Sequence, residues 1–176
     1  MRRSRIMMLI VAVAALVVGS IAVMSPANAQ DGYQLWVNRG SGMCLTATGG
    51  EGSAVIQAAC ATPGLGVQKW TAECADWFCD EYVIRNLGTN MCLDAQGGAT
   101  NGTPAVLWPC NYISNEIWKQ QRPWSVFPNL ISLRSQVAGT NNRCLDVPKA
   151  STAPGVQLEI YECNGSNAQL FTTRNP

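Results

Sequence analysis

The chain has 176 residues, with 12 Lys or Arg, 11 Asp or Glu, no histidine and a net charge of +1. Lack of histidine excludes Ser-His-Asp and Cys-His nucleophile pairs. A near-neutral balance with no basic cluster beyond residue 5 offers nucleic acid no cationic face.

The N-terminus sets the expected compartment. Arg2, Arg3 and Arg5 precede an apolar run over 6–23, and Ala27-Asn28-Ala29 places small residues at the two positions a signal peptidase reads. A span of about 20 apolar residues could cross a bilayer, but Gly19-Ser20 interrupts this run and Pro26 follows it. The expectation is a signal peptide over 1–29 and a secreted, extracellular mature chain from Gln30, without membrane insertion. Cleavage removes three basic residues, leaving nine against 11 acidic ones.

The mature part repeats itself. A turn delivers Cys-Leu at Cys44, Cys92 and Cys144, a second cysteine follows 16 to 19 residues later at Cys60, Cys110 and Cys163, and an aromatic-ended tripeptide comes next. These tripeptides are Gln68-Lys69-Trp70, Glu116-Ile117-Trp118 and Gln169-Leu170-Phe171. Equivalent positions lie 48 to 53 residues apart, so one unit occurs three times, over about 33–80, 81–129 and 130–174.

In chain order, each unit opens with an alternating or aromatic-rich run, at 33–37, 82–85 and 131–134. A second run leads to the closing cysteine, at 54–57, 105–108 and 156–161. Gly and Asn between the runs supply turn chemistry. No helical period stands out, so the expectation is one all-β domain over 30–176.

All eight cysteines lie in the mature part, which for an exported chain reads as a disulfide framework. The repeat pairs Cys44 with Cys60, Cys92 with Cys110 and Cys144 with Cys163, leaving Cys74 and Cys79 to close a small loop. The spacing of CADWFC is not that of a zinc knuckle, so neither a metal nor a cofactor is expected.

A threefold β unit closing on a disulfide, with Gln-x-Trp or a near variant at its end, resembles the ricin-type lectin family over 33–174. The resemblance implies a β-trefoil, with Trp70, Trp118 and Phe171 as its buried aromatic centre. It also implies glycan or polysaccharide partners, galactose- or xylose-containing; the protein is expected to be a monomer and not an enzyme.

A sugar offers a C–H face to an aromatic ring and an edge of hydroxyls to a fixed acceptor, and a carboxylate can accept from two hydroxyls at once. Unit two supplies Asp94 two residues after Cys92 and Trp108 two before Cys110, and Asn115 matches the family's sugar-contacting amide. Unit three supplies Asp146, Tyr161 and Gln169, with Ala168 where that amide would stand. Unit one has Thr46, Ala58 and Val67 at these places and is expected to be structural only. The sequons Asn101-Gly102-Thr103 and Asn164-Gly165-Ser166 are candidate glycosylation sites.

Two other functions compete. Glycoside hydrolysis needs paired carboxylates, for which Asp94 with Glu116 or Asp146 with Glu159 are the candidates. A protease inhibitor or other protein-binding trefoil would present a rigid loop, at 61–67 or 139–143, since fold does not fix function.

Overall fold

A computed structural model describes residues 32–122, 129–137 and 142–176. The expected signal peptide and part of the 139–143 loop lie outside the described residues.

Unit one contributes β1 (Gln34–Asn38), β2 (Cys44–Ala47), β3 (Val55–Ala58) and β4 (Lys69–Cys74). Unit two contributes β5 (Tyr82–Asn86), β6 (Cys92–Ala95), β7 (Thr103–Trp108) and β8 (Trp118–Gln121). Unit three contributes β9 (Leu130–Ser135), β10 (Arg143–Asp146), β11 (Glu159–Glu162) and β12 (Phe171–Arg174).

The outer strands of the units close a ring. β1 pairs β4, β4 pairs β5, β5 pairs β8, β8 pairs β9, β9 pairs β12 and β12 returns to β1, all antiparallel. Closure removes the open edges that would template aggregation. The inner strands form three hairpins, β2–β3, β6–β7 and β10–β11. The hairpins meet one another through β7–β11 pairing and the bridges Ala54↔Val106 and Ile56↔Gln157. A six-stranded barrel capped by three hairpins is the β-trefoil that the resemblance implied.

One strand differs from expectation. The run over 156–161 becomes a hairpin strand only from Glu159, because 156–158 is used across the cap. Gln57 N donates to the Val156 carbonyl at 3.0 Å and Leu158 N to the Val55 carbonyl at 2.9 Å. Units one and three are stitched there at the expense of a longer hairpin.

The core follows from alternation along the strands. Trp70, Trp118 and Phe171 are fully buried beside Leu45, Leu93 and Leu145, which follow the opening cysteines. Burying these side chains is the main stabilising contribution, at roughly 1.5–3 kcal/mol each. Four disulfides are present, with Cα separations of 5.0 Å (Cys44–Cys60), 5.1 Å (Cys92–Cys110), 5.0 Å (Cys144–Cys163) and 4.7 Å (Cys74–Cys79).

Candidate functional site

Register on the cap hairpins sets the site. In unit two, Cys92 pairs with Trp108 and Asp94 with Val106. Side chains two apart on a strand share a face, and diagonal neighbours across a pair stay within reach of a large ring. Asp94 and Trp108 therefore lie together on the face opposite Leu93. The short 3-10 turn Ser114–Glu116 sets Asn115 beside them. Asp94, Trp108 and Asn115, with Gln96, Gly97 and Ile113, line one open cleft of about 310 Å³. Gly97 turns the chain there at φ 61°, a conformation open to glycine without strain.

Unit three repeats the register with one change. Cys144 pairs with Tyr161, but Asp146 stands opposite Glu159 where unit two has Val106. Asp146 and Tyr161 line a larger cleft of about 470 Å³ with Lys149, Glu159, Asn164 and Ala168. Tyr161 is exposed and offers its ring to solvent, and Asn164 of the second sequon is on the rim. Lys149 and Ala150 reach it from a turn with φ 54° and 51°. Sequence reasoning missed Lys149 as a lining residue; an unusual backbone turn placed it there.

Gln169, expected to contact ligand, is not among the residues that line this cleft. It is 1 % exposed, its Oε1 accepts from Asn164 N at 2.8 Å and its Nε2 donates to the Glu162 carbonyl at 2.8 Å. Gln68 does the same work in unit one, accepting from Ala61 N at 2.9 Å and donating to the Ala59 carbonyl at 2.9 Å. The first residue of each tripeptide thus ties down the chain around the closing cysteine. That Gln68 occurs in the unit lacking site chemistry was the available signal.

In unit one the positions are filled otherwise. Thr46 Oγ1 donates to the Cys44 carbonyl at 2.9 Å and accepts from Gln68 Nε2 at 3.1 Å. Ala58 stands opposite Cys44 and Ile56 opposite Thr46, so neither a carboxylate nor a ring is offered.

Burial governs the electrostatics. Asp94 is 3 % exposed, and desolvation followed by the charge of Glu116 pushes its carboxyl up to about 6. Asp146 is also pushed up to about 6, first by desolvation and also by Glu159, against a hydrogen bond from Gln169 that favours its ionised form. Desolvation raises Glu159 too, while Lys149 opposes it. Each site thus holds an acceptor that is ionised at neutral pH with little hydration to surrender. Among the described residues, no group of three or more His, Cys, Asp or Glu could hold a metal ion, and no helix is long and apolar enough to cross a membrane.

Comparison with known proteins agrees with this architecture. A family model described as "Ricin-type beta-trefoil lectin domain-like" matches residues 22–108 and 66–129. Serine protease 1 of Rarobacter faecitabidus is 36% identical over 70 residues, which is 40% of this chain and 12% of that protein's length. The designed threefold-symmetric protein ThreeFoil superposes with a TM-score of 0.73 at 23% identity, over 83% of this chain and 100% of that one. The ricin B-like lectin of Macrolepiota procera, solved in complex with lactose, superposes with a TM-score of 0.63 at 18% identity, over 82% of this chain and 95% of that one. At such identities the structural likeness establishes the fold, and the family match carries the assignment. The chain belongs to the ricin-type β-trefoil lectin domain-like family.

Proposed function

We propose that this protein is a secreted carbohydrate-binding protein that takes glycans or polysaccharides at two shallow sites. Asp94, Trp108 and Asn115 form the first and Asp146 and Tyr161 the second. The observation that carries the reading is the shared geometry of acid and ring. In both units a buried carboxylate lies diagonally across a hairpin from an aromatic at the rim of an open cleft. The ring suits the C–H face of a sugar and the carboxylate its hydroxyl edge.

Galactose- and xylose-containing polymers are the favoured ligands, the M. procera relative being a lactose complex. In unit two catalysis is disfavoured by the placement of the acids: Glu116 is fully buried and does not line the cleft that Asp94 lines, so a glycosidic bond cannot sit between them. The protein works as a monomer, without a cofactor.

Retention on immobilised galactan and xylan tests this directly. The wild-type protein should be retarded on at least one, and Asp94→Ala with Asp146→Ala should abolish the retardation in a folded protein. Equal elution of the two proteins would refute the reading.

A further inference from the structure

The three tripeptides begin with Gln68, Glu116 and Gln169, and their side chains occupy one threefold-related niche. In each, one oxygen accepts from the backbone N–H after the closing cysteine. Gln68 Oε1 takes Ala61 N at 2.9 Å, Gln169 Oε1 takes Asn164 N at 2.8 Å, and Glu116 Oε2 takes Asn111 N at 2.9 Å and also Tyr112 N at 2.9 Å. The other terminal atom is a donor in units one and three. Gln68 Nε2 gives to the Ala59 carbonyl and to Thr46 Oγ1, and Gln169 Nε2 gives to the Glu162 carbonyl, with Asp146 as its second partner. Pro109 and Asp94 hold the corresponding positions in unit two, and both offer only acceptors.

Glu116 Oε1 therefore occupies a niche shaped for a donor. It is fully buried, with no hydrogen-bond partner. A buried, unpartnered carboxylate oxygen is strongly unfavourable where the threefold-equivalent positions around it offer only acceptors. A proton on Oε1 turns the same atom into the missing donor.

We infer that Glu116 and Asp94 share one proton, held on Glu116 Oε1 and donated towards Asp94, so that Glu116 reproduces the amide of its threefold mates and positions Asp94 as the ligand acceptor of unit two. Resting on the proposed carbohydrate function, this makes Glu116 a positioning residue and gives the two sites different pH dependence. Both carboxyls are raised, Asp94 to about 6, with desolvation the leading cause in each case. Such a pair titrates as a unit.

The other charged groups around it do not supply the proton. Arg85 on β5 pulls the Glu116 carboxyl down but is paired with Glu73 of β4 at 2.6 Å, and the Tyr112 hydroxyl is on that same Glu73 at 3.2 Å. Arg134 on β9, the strand packed on this turn, gives Nη2 to Asn142 Oδ1 at 3.3 Å. Unit three has its amide and needs no such proton.

The test compares Glu116→Gln with wild type across pH 5 to 9, by thermal unfolding without ligand and by calorimetric binding of lactose and xylobiose in an Asp146→Ala background. A group raised on folding contributes stability that is complete below its unfolded pKa and is lost as pH rises through its folded value. The wild type should lose stability on the alkaline side, and Glu116→Gln should reduce that loss, leaving the part that Asp94 and Asp146 contribute. Binding at unit two should follow a bell, falling about tenfold per pH unit above the ionisation of the pair. Glu116→Gln should flatten its alkaline limb.

Gln169→Glu is the converse variant and should create an alkaline limb in unit three. Identical alkaline behaviour of wild type and Glu116→Gln, or no new limb in Gln169→Glu should the first variant not fold, overturns the inference. If neither sugar binds at any pH while the ligand-free difference persists, the lectin reading falls and the shared proton stands.

Discussion

Trp118 Nε1 donates to the Leu93 carbonyl at 3.0 Å in the centre of unit two, and Trp70 Nε1 to the Leu45 carbonyl at 2.9 Å repeats that bond in unit one. The bond ties the aromatic end of the tripeptide to the residue after the opening cysteine. Core and site are thereby linked, because Leu93 neighbours Asp94 on β6. Phe171 holds the third position, where a ring fills the core without that donor.

Trp118→Phe should therefore destabilise more than a loss of ring volume predicts. It leaves the buried Leu93 carbonyl without its indole donor, at a cost of about 1–3 kcal/mol, and opens a cavity besides. Chemical denaturation would measure this. A change below about 0.5 kcal/mol, the range of an inert surface substitution, would remove the bond from the account.

Thr46→Ala and Asp94→Ala should separate structure from binding. Thr46 accepts from Gln68 inside unit one, so its loss should lower stability by about 0.5–1.5 kcal/mol and leave sugar binding unchanged. Asp94→Ala should weaken binding by about 1–3 kcal/mol, since sugar hydroxyls lose their acceptor. Calorimetry on both folded variants decides. Equal effects on affinity would mean that the site lies elsewhere.

Acid should release ligand. The carboxyls of Asp94 and Asp146 are both raised to about 6, and a protonated acid has lost acceptor capacity. Affinity should fall as pH drops below that value. Stability runs the other way: the raised Asp146 contributes stability that is complete below its unfolded pKa of about 3.9 and is lost as pH rises through about 6. Asp146→Asn should shrink that loss. Thermal unfolding from pH 4 to 8 would show it, and an unaltered profile would contradict the assigned burial effect.

Much of this was legible because threefold repetition checks itself. Cys44, Cys92 and Cys144 fixed the register, which located Asp94 beside Trp108 and Asp146 beside Tyr161. Gln169 shows the limit. A polar residue next to a site position can serve the backbone instead, and only its hydrogen bonds to Asn164 and Glu162 distinguish the two. Lys149 was not read as a lining residue of unit three, since its place there depends on a left-handed turn, whereas Glu159 was read only as a carboxylate partner of Asp146. The exposed Trp77 and Phe78 at the tip of the Cys74–Cys79 loop likewise could not be told from core by residue type.

Two acid-and-ring sites on one rigid domain should distinguish a polymer from a monosaccharide. A single shallow site should bind at about the millimolar level. Two sites engaging one polymer should gain avidity of about 10²-fold without a new contact. Binding isotherms against galactan, xylan, galactose and xylose should show tight polymer binding, with Asp94→Ala and Asp146→Ala each lowering it far more than monosaccharide binding. The folded double variant should lose polymer binding altogether. Equal affinity for polymer and monosaccharide, or undiminished polymer binding by the double variant, would contradict the account.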